Sequence, residues 1–187
     1  MTPRRYPLFR PAFLSVLLLA LPARAAVPME YQIKAVFLFN LTQFVTWPAA
    51  SFSSPEEPFV IGILGQDPFG KFLDETVKGE KVDGHPLVVR RFQEASEVTA
   101  CRILFIGRSE GGRPGRALSA LKGKGILTVG DTEAFSEGGG MMRFLTQDNK
   151  IRFRVNLAAV QCEDLAFSSK LLRLAEVVGK KGGRPCD

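Results

Sequence analysis

The side chains of this 187-residue chain that could do chemistry do not form a recognisable catalytic set. The single histidine, His85, precedes a proline at a predicted turn, and no serine or cysteine nearby is arranged as a nucleophile elbow. One histidine cannot anchor a metal cluster, and no two cysteines have C-x-x-C spacing. Asp67 and Asp131 would form a carboxylate pair only if the fold brought them together. These observations predict no enzyme, no metal site and no cofactor, and a hydrolase is the third-ranked alternative.

The best candidates for a ligand site are polar loops that follow predicted strands, at 65–70, 107–115 and 130–132. In a parallel sheet, ligands bind beyond the carboxyl ends of the strands. The first loop leads into a predicted helix, whose free N–H groups favour an anion. It matches neither G-x-G-x-x-G nor a Walker loop, however, so an ordinary capped turn is the favoured interpretation. The candidate ligand residues in these loops are Gly65, Asp67, Arg108 and Asp131, although an ordinary solvated arginine is the favoured interpretation of Arg108.

The element that organises the rest of the chain is an apolar helix predicted over 31–46. Six apolar residues recur at three- and four-residue steps, which is typical of one buried helix face. Leu38 and Phe39 lie off that stripe, so the helix is apolar on more than one side. Trp47 precedes a proline, which disfavours helical geometry and ends the helix. A core helix is the favoured interpretation, and a helix that also meets a partner is the sharper one. The predicted buried residues are Ile33, Val36, Phe37, Leu41, Phe44 and Val45.

Short apolar runs alternate with helical segments over the first two-thirds of the chain and end in a hairpin. This pattern predicts an α/β fold: a single layered domain with a mostly parallel sheet, an antiparallel C-terminal hairpin and flanking helices. The predicted strands are 59–64, 87–92, 102–106, 126–129, 141–145 and 151–155, and the helices after the first are 68–77, with Asp67 as N-cap, 116–122 and 169–178.

The first 25 residues have the features of a secretory signal peptide. Arginines precede an apolar run at 12–21, and small residues at 23 and 25 suit cleavage after Ala25. An uncleaved anchor is the less favoured alternative, because a membrane span needs about 20 apolar residues. We therefore expect a signal peptide at 1–25, an exported domain at 26–178 that does not itself span the membrane, and a disordered tail at 179–187.

Removing the leader changes the charge balance of the chain. Four of the 25 basic residues and none of the 19 acidic ones lie in 1–25, so 26–187 carries a net charge of +2. The chain also lacks a dense basic patch interleaved with aromatic residues, which argues against nucleic-acid binding. In an exported protein, three cysteines allow one disulfide and leave an odd thiol.

Short motifs in order over most of 34–178 give a further indication of function. They are KAVFLFNLTQFVTWP (34–48), IGILG (61–65) with DPFG (67–70), CRILFI (101–106), LTVGD (127–131), GGM (139–141), RFRVNL (152–157) and SKLLRLA (169–175). Each motif is short, but the ordered set resembles the YfiR family of periplasmic regulators.

The resemblance implies a periplasmic regulatory protein rather than an enzyme. It implies a partner, the periplasmic domain of an inner-membrane diguanylate cyclase or sensor kinase. A cyclase partner would be held inactive so that cyclic di-GMP stays low. It also implies a homodimer in some relatives. Together with the apolar helix, it predicts a partner or dimer surface at Leu38, Phe39 and Trp47. Some family members carry intrachain disulfides, and Cys101 lies where such a cysteine can lie. This chain has no cysteine near 60–61 to match it, and the alternative pairing is a Cys101–Cys162 bridge. The alternative function is a periplasmic small-molecule-binding protein that uses the strand-end loops.

Overall fold

The computed structural model describes residues 26–110 and 114–178. The expected signal peptide at 1–25 and the expected tail at 179–187 lie outside the described residues. Within the described ranges, none of the helices combines the length and apolarity needed to cross a bilayer. The helices are α1 (Met29–Phe44), α2 (Lys71–Val77), α3 (Pro114–Leu121), α4 (Glu133–Glu137), α5 (Leu157–Cys162) and α6 (Ser169–Leu172). The strands are β1 (Val45–Thr46), β2 (Phe59–Leu64), β3 (Lys81–Val82), β4 (His85–Phe92), β5 (Ile103–Ile106), β6 (Leu127–Gly130), β7 (Met142–Gln147), β8 (Lys150–Asn156), β9 (Ala166–Phe167) and β10 (Ala175–Val178).

Eight strands form the main sheet, in the order β10-β8-β7-β6-β5-β2-β4-β3. The five strands from β4 to β7 in that order run parallel, and β7 and β8 form an antiparallel hairpin. Every residue of β2, β5 and β6 is buried, because both faces of the central sheet are covered. The predicted fold class is therefore confirmed.

Two apolar layers cover the two faces of the sheet. Alternate residues of β5 point in opposite directions: Ile103 and Phe105 pack with α1 and α2, whereas Leu104 and Ile106 pack with α3 and α4. At the β7-β8-β10 end, the face remote from α1 is polar. There Arg154 pairs across the strands with Arg143 and with Glu176, and it forms an ion pair with Glu176 at 3.1 Å.

The C-terminal helix is much shorter than predicted. It ends at Leu172, and residues 175–178 form β10, which pairs in parallel with β8. The predicted helix over 169–178 is therefore wrong in its second half. Leu174, which fits the inward stripe of such a helix, is 67% exposed. The reason is tertiary: β8 presents an open ladder of hydrogen-bonding groups, and pairing with it outweighs the local helical periodicity of a short segment.

Helix α1 forms where predicted but faces the core with a different side. The predicted inward residues Ile33 and Val36 are 40% and 41% exposed, whereas Leu38, predicted to lie off the stripe, is fully buried. The predicted inward face is therefore wrong at these positions, although Leu41 and Val45 are buried as expected. Periodicity could not decide the orientation, because apolar residues occur on every side of the helix. The buried residues of α1 are Lys34, Ala35, Leu38, Leu41 and Thr42.

A two-residue antiparallel pair, β1 with β9, joins the end of α1 to the segment before α6. Val45 lies opposite Phe167, and the Ser168 N–H donates to the Phe44 carbonyl oxygen at 2.8 Å. Neither short strand was predicted, because two residues are too few for a period-two pattern. The pair holds the C-terminal end of α1 in place.

Candidate functional site

The loops that follow β2 and β5 meet at the carboxyl edge of the sheet. The chain leaves β2 for β4 on one side and returns to β5 on the other, so this edge is the topological switch point of the fold. The Gln66 N–H donates to Ser109 Oγ at 2.8 Å. Gly65 has φ +80°, and a Cβ atom there would lie 2.3 Å from Ser109 Oγ. Glycine is therefore needed at position 65, both for its backbone conformation and for the close approach of the two loops.

A buried ion pair lies beside this edge, where α1 crosses the end of β6. The Lys34 ammonium donates to Asp131 Oδ2 at 2.6 Å, and both side chains are 1% exposed. The Tyr31 hydroxyl donates to the same oxygen at 2.9 Å. Arg108 Nε lies 3.4 Å from Asp131 Oδ1, and Glu30 Oε1 lies 2.6 Å from Lys34 Nζ. We call these five residues the ion-pair cluster.

The electrostatics of the cluster fix its protonation states. Burial raises the pKa of Asp131, but the hydrogen bond and charge of Lys34, with help from Tyr31 and Arg108, outweigh burial and leave this pKa below its usual value. Burial, and then the hydrogen bond to Asp131, raise the pKa of Tyr31 well above its usual range. The charge of Asp131 raises the pKa of Arg108. The Asp131 carboxyl group therefore stays deprotonated and the Tyr31 hydroxyl stays protonated, so the cluster suits structural attachment better than acid–base chemistry.

A small crevice of about 190 Å³ opens beside the cluster, between the loops after β2 and β5. Of the residues predicted for a ligand site, Arg108 presents its charge to solvent, with 63% of its side chain exposed. Asp131 is buried beneath α1. Gly65 serves the contact between the loops. The lining residues are Tyr31, Gln66, Asp67, Pro68 and Arg108.

The Asp67 side chain stabilises the turn that it begins rather than capping α2 directly. Its carboxylate accepts from the N–H groups of Phe69 and Gly70 at 2.7 and 3.1 Å, and it pairs with Arg91 at 2.8 Å. Helix α2 begins after Gly70, so the predicted N-cap at Asp67 is wrong by three residues. Asp67 and Asp131 each have a cation of their own, and they do not act as a pair that shares a proton.

The large hydrophobic side chains that are exposed in the described ranges lie on two elements, α1 and the segment around β10. Helix α1 lies over the hairpin: the Phe37 ring packs edge-on against Phe153 of β8 at 4.7 Å. Strand β10 is the neighbour of β8. Part of α1 and strand β10 therefore both lie next to β8, and we call the exposed apolar residues of these two regions the apolar edge. These residues are Met29 (70% exposed), Ile33 (40%), Val36 (41%), Leu174 (67%) and Val177 (45%).

The residues predicted for a partner surface lie partly elsewhere. Leu38 is fully buried, so its assignment to that surface is wrong. Phe39 and Trp47 are half-buried against the core, and the Trp47 ring packs edge-on against Phe59 at 5.0 Å. The five residues of the apolar edge were not predicted as surface. The available signal was Lys34, since a lysine within an apolar helix either points to water or is buried with a carboxylate. Burial of Lys34 with a carboxylate turns Ile33 and Val36 toward solvent.

The expected disulfide between Cys101 and Cys162 is wrong. Cys101 is a free thiol, 1% exposed, whose Sγ donates to the Ile103 carbonyl oxygen at 3.0 Å. Burial raises the pKa of Cys101 to about 12, so the thiol is unreactive. Cys162 takes part in a disulfide elsewhere.

Comparison with known proteins identifies the chain by family. A family model described as YfiR/HmsC-like matches residues 31–176, which is most of the chain. No curated protein gives a significant match. In the described residues, no group of three or more histidine, cysteine, aspartate or glutamate side chains could hold a metal ion.

Proposed function

The chain belongs to the YfiR/HmsC-like family, and from that membership we propose that it is a periplasmic regulator of an inner-membrane signalling protein. Proteins of this family are regulators rather than enzymes. The regulated partner that we propose is a diguanylate cyclase with a periplasmic sensor domain. Binding of the regulator to that domain would hold the cyclase inactive and keep cyclic di-GMP low.

The observation that supports a binding role is the apolar edge. Exposed apolar residues that are scattered singly are normal on a protein surface, whereas a local concentration marks an interaction site. Here Met29, Ile33 and Val36 follow one side of α1, one turn apart. Leu174 and Val177 are further exposed apolar side chains, in and beside β10, the strand that neighbours β8.

The size of the apolar edge indicates how much of the binding energy it can supply. Fully burying a valine, leucine or isoleucine gives about 1.5–3 kcal/mol, and side chains already half-buried give roughly half of that. Five such side chains therefore provide on the order of 5 kcal/mol, which is equivalent to weak binding on its own. We infer that the partner adds polar contacts around the edge and that the apolar residues define where it binds.

The test is capture of the partner from membranes. Tagged protein carrying residues 26–187 is mixed with detergent-solubilised membranes of the native host, and captured proteins are identified by mass spectrometry. We expect recovery of an inner-membrane diguanylate cyclase. Ile33→Asp combined with Val36→Asp should reduce recovery at least tenfold, because a charge on each position would have to be desolvated in the complex.

The control is Ala120→Asp, which places one aspartate on an exposed position of a helix on the opposite face of the sheet. It should bind like the wild type. Equal capture by all three proteins would remove the apolar edge from the proposal. If the α1 variant instead loses self-association while cyclase capture persists, the edge is a homodimer surface.

The crevice at the switch point supports a second candidate function, the binding of a small molecule. Its volume of about 190 Å³ is below the 300 Å³ or more that is usual for drug-sized ligands, so a ligand would be small. The exposed guanidinium of Arg108 favours a carboxylate or phosphate group. Small anionic metabolites should then raise the melting temperature of the wild type but not of Arg108→Ala. No shift with such metabolites would eliminate this candidate.

A further inference from the structure

We propose that the outer edge of β10 binds an extended, acidic segment of another protein as an additional strand of the sheet. Strand β10 is the last strand in the order and pairs with β8 on one side. Among the described residues, no strand pairs with its other side. In a parallel ladder, alternate residues direct their N–H and C=O groups toward opposite sides, so half of these groups in β10 point away from β8. Such a row of backbone groups is a template for another strand.

The opposite edge of the sheet has features that discourage such pairing, and β10 lacks them. Strand β3 has only two residues, one of which is the exposed Lys81, and a tight turn at Asp83 and Gly84 joins it to β4. Short edge strands and lysines hinder the approach of another strand. Strand β10 has four residues and no lysine or proline, and its one charged side chain, Glu176, is already paired with Arg154. The sheet is therefore protected at one edge and open at the other.

Exposed apolar side chains lie beside the open backbone groups. Val177 lies opposite Val155 of β8, which packs in the same apolar layer as α1, so Val177 points to that face of the sheet. Val177 remains partly exposed, and Leu174, directly before the strand, is more exposed still. Strand addition takes its affinity from main-chain hydrogen bonds and its specificity from alternate side chains. The added segment therefore has an apolar residue beside Val177 and further apolar residues at alternate positions.

The charges around β10 favour an acidic segment. Lys170 on α6 and Arg173 directly after it are exposed, and neither has an ion-pair partner among the described residues. The acidic residue of β10, Glu176, is paired with Arg154 at 3.1 Å and so does not offset them. Complementary charge guides association and the choice of partner. A second copy of this chain would bring the same two cations to the interface, so charge favours a different, acidic chain.

The source of the segment rests on the proposed function, whereas strand addition itself does not. Leu174 and Val177 belong to the apolar edge, so a strand added to β10 covers part of the proposed partner surface. The segment is then part of the periplasmic domain of the regulated cyclase. Strand addition follows from the backbone and the charges of β10 alone, and peptides can test it without that partner.

The experiment measures the binding of designed peptides to protein purified after expression of the full chain. The acidic peptide has two glutamates at each end of an alternating valine and threonine core, and the basic peptide has lysines in their place. Fluorescence anisotropy at low salt should show at least tenfold tighter binding of the acidic peptide. Amide hydrogen exchange over 175–178 should slow at least fivefold when this peptide is bound, because its backbone pairs with the outward groups of β10.

Two comparisons separate strand addition from simple charge attraction. An acidic peptide with every backbone amide N-methylated keeps its charge but has no N–H donors, so its binding should weaken at least tenfold. Lys170→Glu combined with Arg173→Glu should reverse the preference, so that the basic peptide binds more tightly. The control is Arg116→Glu combined with Lys124→Glu, which makes the same change in charge at exposed positions elsewhere and should keep the wild-type preference.

Three results would overturn strand addition by an acidic segment. They are equal binding of the methylated peptide, unchanged exchange over 175–178 with peptide bound, and dimers of the free protein in which 175–178 is protected, since a second copy would then occupy the edge. Cyclase capture, measured in parallel, separates the two proposals. Peptide binding without any cyclase captured by the wild type would count against the proposed function alone. Undiminished capture by the Lys170→Glu/Arg173→Glu variant would exclude the cyclase as the source of the segment.

Discussion

Each face of α1 departs from the usual arrangement of an amphipathic helix. The inner face buries a lysine, which reaches Asp131 at 2.6 Å beside Leu38 in the core. The outer face exposes Ile33 and Val36 to solvent. An ordinary surface helix does the opposite, with its apolar residues inward and its charged ones outward.

This difference separates residues that hold the helix in place from residues available for binding. A buried ion pair is strong only while both partners are present, because each charge alone is costly in the interior. It therefore fixes the position of α1 on the sheet. The exposed residues of the outer face contribute little to the free energy of unfolding and remain available to contact a partner. The following substitutions test how far this division holds.

The largest effect is expected at Asp131. Asp131→Ala leaves the Lys34 ammonium buried with only the partly exposed Glu30 to neutralise it, so unfolding free energy should fall by about 3–5 kcal/mol. Urea denaturation measured through Trp47 fluorescence gives this value. The double variant Lys34→Met with Asp131→Leu removes both charges and should recover most of the loss. A double variant as unstable as the single one would show that the pair itself is not the source of stability.

The orientation of α1 predicts a contrast between two truncations on the same helix. Leu38→Ala opens a cavity in the core and should cost about 3 kcal/mol, within the 2–5 kcal/mol range for such changes. Val36→Ala removes a partly exposed side chain, and its cost should stay below about 0.5 kcal/mol. The same denaturation experiment measures both. Similar losses at the two positions would contradict the division between the faces.

Acid should weaken the attachment of α1. The pKa of Asp131 is lower in the folded protein than in the unfolded chain, where it is about 4. Its stabilising contribution is therefore complete above that pH and is lost as the pH falls through the folded value. Between pH 5 and 3, the urea midpoint of the wild type should drop by more than that of the Lys34→Met/Asp131→Leu variant. Parallel drops would place the acid sensitivity outside the ion-pair cluster.

A small effect is also expected on the polar face of the β7-β8-β10 end. Arg154 forms its ion pair with Glu176 at 3.1 Å, but 57% of the glutamate side chain is exposed. Solvent screens such a pair, so Arg154→Ala should change unfolding free energy by less than about 1 kcal/mol. A much larger loss would mean that charged pairs contribute to folding here as strongly as the buried one beneath α1.

Sequence patterns predicted those elements whose environment is uniform along their length. Strands β2, β5 and β6 are continuous apolar runs because both faces are covered, and the hairpin of β7 and β8 is local in the chain. The same patterns could not orient α1, because an apolar helix with one lysine fits the sheet in more than one rotation. Only the distant Asp131, 97 residues along the chain, decides between them.

The C-terminal elements escaped prediction for a related reason. The segment 169–178 reads as one helix by its own periodicity, but β8 offers a free edge to which the last four residues pair. One part of the candidate site was predictable from the sequence and the other was not. The convergence of the strand-end loops follows from parallel topology, which the sequence pattern predicts. The apolar edge depends on the rotation of α1 and on β10, and neither was available from local residues.

The native contacts of α1 also have a consequence for the order of folding. The helix comes first in the domain, yet it contacts Asp131 through Lys34, Phe153 through Phe37 and Phe167 through β1. Its native docking therefore cannot finish until nearly the whole chain has been delivered, whichever end of the sheet assembles earlier. Such long sequence separations are typical of slow folding.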